Sequence, residues 1–162
     1  MISKRPRVVF DCNVLLQAVA NEEGPAAECL RLLDAGRITV FLSRATLKEL
    51  RAVLEYPSVR EKLTGLSEIR IAAFLERLTY RATLVRRVPH ALDYSRARQD
   101  EPYIDLAVAA KANYLVSRDN DLLSLMTGHS LVCKRFRQLT HPLRVLDPVA
   151  FLEALTDPKR PT

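Results

Sequence analysis

A chain of 162 residues, 48% hydrophobic and 27% charged, has the size of one domain with a self-sufficient core, which excludes a disordered chain and a pair of ordinary domains. Apolar runs of only about five residues exclude a membrane span, and no apolar segment follows Met1–Arg5 to make a secretory signal. Twenty-five Lys and Arg against nineteen Asp and Glu leave +6, and an Arg-rich balance suits bidentate phosphate contact, although GC-rich coding gives the same bias.

Residues 7 to 10 read as a short buried strand that ends at Asp11, and Val14-Leu15-Leu16 continues apolar. Gly24-Pro25 opens a helix with Ala26, Leu30 and Leu33 at helical spacing and Gly36 as its stop. Ile38 to Leu42 is a second strand. Ser43 follows as the N-cap of a helix over 44–55, striped by Leu47, Leu50 and Leu54. Pro57 breaks that helix, and a mobile connection is expected as far as Gly65. Ser67 caps the next helix, with Ile71, Phe74, Leu75 and Leu78 on one face, and residues 82–88 form a third strand candidate. Asp100 and Pro102 start an Ala-rich helix to about Ala112, and Tyr114-Leu115-Val116 is a fourth strand. A short helix over 122–126, a strand over 144–146 and a helix over 148–155 complete the pattern. The domain is expected over 1–155, with 156–162 a disordered tail.

Strands alternating with helices predict an α/β fold, a mostly parallel sheet covered on both faces. Sites in such sheets form beyond the carboxyl ends of the strands. Asp11, Ser43 and Asp119 each sit just after a strand.

Four acids stand where solubility explains a charge poorly. Asp11 lies between two apolar runs, and Glu49 lies between Leu47 and Leu50 near the border of the apolar stripe. Asp100 heads the Ala-rich helix, where it also reads as an N-cap, and Asp119-Asn120-Asp121 also reads as a capped turn. Two carboxylates about 6 Å apart repel by roughly 3 kcal/mol at an effective dielectric near 20, so four ionised acids in one crevice approach the stability of a whole domain. Such a cluster protonates in part or holds a divalent cation, and an all-oxygen ligand set points to Mg²⁺ or Mn²⁺. An acidic pocket within a basic chain suggests phosphodiester chemistry, with Arg residues on the nucleic-acid backbone.

Four motifs now carry a resemblance. VVFDCNVLL over 8–16 resembles the opening motif of PIN domains, and SRATLKEL over 43–50 resembles their second. DEPYIDLAVAA over 100–110 resembles the third, and LVSRDNDLL over 115–123 the fourth. The similarity runs in order from residue 7 to about 152. It implies a three-layer α/β/α sandwich, Mg²⁺ or Mn²⁺ dependence and endonucleolytic cleavage of single-stranded RNA. The subgroup it most resembles comprises toxins of type II toxin–antitoxin pairs, like the VapC ribonucleases, which implies a cognate antitoxin and a homodimer or higher oligomer in the cytoplasm.

Carried over position by position, Asp11, Glu49, Asp100 and Asp119 become catalytic metal ligands. Asn13 would orient Asp11, Ser43 would support the second motif, Ser117 would take the polar slot before the fourth acid, and Asp121 would support or share the metal. Arg44 and Arg118 would contact RNA. Cys12 stands where the family usually has Thr or Ser, and Arg118 where the closest subgroup usually has Gly. The third motif is thin in acids, so Asp105 competes with Asp100 as ligand.

Arg77, Arg81, Arg86, Arg87, Arg96 and Arg98 form one basic stretch, and Lys134, Arg135, Arg137 and Arg144 another. Both read as a solvated face or an RNA-contacting rim. The histidines share no spacing and read as surface residues. Cys12, Cys29 and Cys133, odd in number and never in a C-x-x-C pair, fit a reducing cytosol rather than a disulfide or zinc framework. The alternative function is a catalytically silent PIN-like RNA- or partner-binding module. An aspartyl phosphatase is disfavoured because Asn13 stands where it needs a second Asp.

Overall fold

The computed structural model describes residues 4–63 and 65–157. Five strands form one parallel sheet: β1 (Arg7–Phe10), β2 (Thr39–Ser43), β3 (Thr83–Val85), β4 (Tyr114–Val116) and β5 (Arg144–Leu146), in the order β3-β2-β1-β4-β5. The all-parallel sheet with helices on both faces is the three-layer α/β/α sandwich expected from the sequence. Val8 and Val9 are fully buried, as strands covered on both faces must be. The chain winds outward from β1 to β2 and β3, then returns to place β4 on its other side. The resulting crevice lies at the carboxyl ends of β1 and β4, where open α/β sheets bind ligands.

The helices are α1 (Cys12–Ala20), α2 (Pro25–Asp34), α3 (Arg44–Glu55), α4 (Pro57–Lys62), α5 (Glu68–Arg81), α6 (Glu101–Ala109), α7 (Asn120–Leu123), α8 (Leu131–Thr140) and α9 (Pro148–Thr156). Helix α2 packs against α1 and α9, and α6 packs against α3 and α8. Phe151 of α9 meets Phe10 and Tyr114 edge-on, with ring centroids 6.0 and 5.2 Å away.

Local chemistry accounts for the element ends. Gly36, at φ 70°, closes α2 in the left-handed region. Ser43 and Thr46 form a reciprocal capping box: Ser43 Oγ accepts from the Thr46 amide at 3.1 Å and Thr46 Oγ1 from the Ser43 amide at 3.0 Å. Three helices depart from the expected pattern. The apolar run after Asp11 is α1, with Val14, Leu15, Ala18 and Val19 on its buried face. The expected mobile connection contains α4, because Pro57 at the first helical position opens a new helix as well as closing the old one. The ten residues of α8, capped by Ser130 and anchored by Cys133 and Phe136, carry too narrow an apolar stripe to stand out among their bases.

Thr156 belongs to α9, and residues 158–162 of the expected tail lie outside the described residues. Among the described residues no helix is long and apolar enough to cross a membrane.

Candidate active site

The site begins with the two central strands. Register pairs Phe10 with Val116, so Asp11 and Ser117 leave the sheet side by side, and the Asp11 amide donates to the Val116 carbonyl at 2.9 Å. Ser117, fully buried, donates its hydroxyl to Asp11 Oδ2 at 2.7 Å and accepts the Asp119 amide at 3.0 Å. One hydroxyl thus fixes the first acid and the turn that carries the fourth. Asp119 Oδ1 accepts the Asp121 amide at 2.8 Å and caps α7. The capped turn and the acid cluster are therefore one structure. Burial pushes the Asp11 carboxyl up from its ordinary range against the pull of the Ser117 hydroxyl, and the charges of Asp119 and Glu49 add to the rise.

Asp100 closes a 3-10 turn over Arg98–Asp100 at the head of α6. It holds the N-cap position without making a cap bond, and it is 4% exposed. Among the described residues its buried Oδ2 has no hydrogen-bond partner. Oxygens of Asp100, Asp119 and Asp121 lie within 4.8 Å of one another. Burial, then the neighbouring Asp119 and Asp11 charges, push the Asp100 carboxyl up to about 7. An orphaned buried oxygen facing two further carboxylates fits a hard divalent cation, which takes oxygen ligands and relieves both the repulsion and the missing partner.

Glu49 comes from the middle of α3 and borders this group, half-buried. Its Oε2 accepts the hydroxyl of Tyr103 at 2.8 Å. Tyr103 lies on α6, is 2% exposed, and is pushed up by burial and by the charges around it. Cys12, beneath the same acids, is pushed up to about 12, mainly by burial, and stays an unreactive thiol.

The other sequence candidates have contacts of their own. Asp105 is tied elsewhere: its Oδ1 accepts the Ala91 amide at 2.8 Å and its Oδ2 meets His90 Nδ1 at 2.9 Å. Asn13 is exposed, and the hydrogen bond that orients Asp11 comes from Ser117. Ser43 serves the α3 capping box. Arg44 is exposed, and Arg118 reaches back to the Gln17 side chain.

Sequence reasoning missed the connection over 86–97. Arg96 Nε meets Asp121 Oδ1 at 2.8 Å, and the Tyr94 hydroxyl donates to the Asp121 carbonyl at 2.6 Å. The Tyr94 amide donates to Glu101 Oε2 at 3.0 Å, and His90 clamps the near end between Asp105 and Asp93. Those two carboxylates, Asp105 first, raise His90 to about 9. A signal existed in the apolar Leu92, Tyr94 and Ala97 of this connection, all buried. Of the basic stretches, Arg77 pairs with Asp34 at 3.7 Å and Arg137 donates to the Leu125 carbonyl at 2.7 Å, both structural contacts.

The family model described as PIN domain matches residues 7–121, which includes every acid of the site. No curated protein matches the chain. The crystal structure of PAE2754 from Pyrobaculum aerophilum matches with a TM-score of 0.52 at 15% identity, over 93% of this chain and 89% of that one. At that identity the likeness speaks for the fold alone.

Proposed function

The chain belongs to the PIN domain family, and on that ground we propose that it is a Mg²⁺- or Mn²⁺-dependent endoribonuclease that cleaves single-stranded RNA. We take it to be the toxin of a type II toxin–antitoxin pair, held silent by a cognate antitoxin, working in the cytoplasm as a homodimer or higher oligomer. The observation that carries the nuclease reading is the buried, unpartnered Asp100 Oδ2 beside the oxygens of Asp119 and Asp121. The toxin, antitoxin and oligomer readings follow from the resemblance of the four motifs to that subgroup.

Asp11, Glu49, Asp100 and Asp119 are the proposed metal ligands, with Asp121 in support. When bound, the cation supplies charge neutralisation at the phosphate, a more acidic water and stabilisation of the leaving oxygen. Ser117 holds Asp11 and Asp119 in one geometry, so the acids need no reorganisation when substrate arrives. Tyr103 holds Glu49 Oε2 in the same way. In the reaction the water oxygen bonds to phosphorus, the P–O3′ bond breaks, and the water's proton ends on the departing 3′ oxygen. Exposed Arg44 and Arg118 would contact the strand's phosphates.

The test is cleavage of defined single-stranded RNAs by wild type and Asp119→Asn with Mg²⁺, Mn²⁺ or EDTA. Metal-dependent cuts that Asp119→Asn and EDTA both abolish support the reading. RNA bound but uncut under every metal condition refutes it in favour of a silent binding module.

A further inference from the structure

A second concavity of about 400 Å³ opens beside the acids, between α1, the turn after β4 and the start of α9. It is lined by Gln17, Arg118, Asn120, Asp147, Pro148 and Val149 among others, and Arg118 and Asn120 directly flank Asp119 in the chain. Its volume falls in the range of small-ligand sites, roughly 300–1,000 Å³. The pocket adjoins the turn that carries Asp119.

We propose that this pocket receives one nucleobase of the RNA strand next to the cut, and that it favours guanine. The nucleic-acid identity of the ligand rests on the ribonuclease reading above; the base preference comes from the lining. Gln17 Oε1 accepts from Arg118 Nη1, which leaves the Gln17 amide NH₂ and the remaining guanidinium N–H groups as donors among the lining residues. Asp147 stands on the same pocket as an acceptor. One of its oxygens caps α9 by accepting the Ala150 amide at 2.8 Å, and the other has no partner among the described residues. The half-exposed Val149 gives an apolar surface for the base face, beside the buried Pro148.

Guanine alone among the four bases carries two adjacent donors, N1–H and N2–H₂, that can converge on the free Asp147 oxygen while it presents O6 and N7 to donors. Uracil offers one donor. Adenine and cytosine turn a ring acceptor toward the carboxylate on that edge and are repelled. The lining thus ranks the bases as guanine, then uracil, then adenine and cytosine.

The test uses the full chain in EDTA, titrated with guanosine, uridine, adenosine and cytidine 5′-monophosphates and followed by amide chemical shifts. We expect shifts at Gln17, Asn120 and Val149, with the guanosine nucleotide bound about tenfold more tightly than the adenosine one. Asp147→Ser keeps a helix-capping oxygen but removes the carboxylate, so it should fold and lose that tenfold preference. Gln17→Leu, which leaves the cap untouched, should weaken all four. Equal affinity for the four nucleotides, shifts confined to the acid cluster, or a preference that survives Asp147→Ser would each overturn the proposal. Mapping cuts in a randomised RNA with Mn²⁺ separates it from the parent reading. Cleavage without guanine at a fixed offset overturns the pocket and leaves the nuclease. Guanosine nucleotide bound at the pocket with no RNA cut overturns the nuclease and leaves the pocket.

Discussion

Asp100→Asn replaces a buried, crowded carboxylate by a neutral side chain of the same shape, and it should stabilise the metal-free protein while crippling its metal site. In the unfolded chain the carboxyl titrates at 3.8; in the fold, burial with Asp119 and Asp11 nearby raises it to about 7. The folded state therefore keeps its proton where the unfolded state has lost it. The stability carried by that proton is complete below pH 4 and is lost as the pH rises toward about 7. At about 1.4 kcal/mol per tenfold in proton affinity, the ionised Asp100 costs at most about 4 kcal/mol above that range. Water entering an open crevice lowers the effective cost to about 2 kcal/mol. For a chain of this length that is a rise of roughly 4–8 °C in Tm at pH 8 in EDTA, with little change at pH 4. The Asn amide can also donate to the adjacent Asp119 carboxylate, which the native carboxylate cannot do when ionised. Mn²⁺ should raise the Tm of wild type at pH 8 and leave the variant nearly unmoved. The assay is a set of thermal melts at both pH values with EDTA or Mn²⁺. A variant less stable than wild type at pH 8 in EDTA, or one stabilised equally by Mn²⁺, refutes the reasoning.

Ser117→Ala strands Asp11 Oδ2 and the Asp119 amide in a buried place, and should cost about 1–3 kcal/mol in urea unfolding. Tyr103→Phe removes the one hydroxyl on Glu49 Oε2; calorimetric titration should show Mn²⁺ bound several-fold more weakly, with a melt within about 1 kcal/mol of wild type. His90 holds the near end of segment 86–97 as a cation below about pH 9, so limited proteolysis within that segment should accelerate between pH 8 and 10 while cleavage elsewhere stays constant. Binding of single-stranded RNA by Asp119→Asn, measured by filter retention, should fall by about tenfold or more from 50 to 200 mM salt if several Arg residues meet phosphates; a flat response would remove the basic rim from the reading.

The strands were legible because each holds a short apolar run, as in Val8–Phe10 and Tyr114–Val116, and the parallel sheet followed from their alternation with helices. The helix starts at Pro25, Arg44 and Glu68 were legible from their caps. What escaped notice has a common cause. The α1 stretch, apolar straight after a strand, carries its helical spacing over only nine residues, and α8 buries little. The positions after strands that drew attention to Asp11 and Asp119 do converge on one crevice. Asp100 against Asp105 was open in the sequence because one heads α6 and the other lies within it, five residues on. Long-range contacts separate them: Asp105 turns to His90 and the Ala91 amide, and Asp100 to Asp119 and Asp121. Tyr103 and Tyr94 were given no role for the same reason, and Arg96 was read only as one of a basic stretch, since nothing local tells a side chain that fills a core or a rim from one that holds a carboxylate.

The register of β1 on β4 has one more consequence. The Asp11 amide is bonded into the central strand pair, and Ser117 is bonded to the carbonyl of Leu146 on the other side, so both residues belong to the part of the sheet with neighbours on each edge. Opening them to solvent takes nearly the full free energy of unfolding, whereas the ends of α4 and α5 can fray at far lower cost. Amide exchange at Asp11 should therefore be among the slowest in the chain. The acids would then be lost with the fold in one step, and a heated or partly digested molecule would keep its reactive centre until the sheet itself separates.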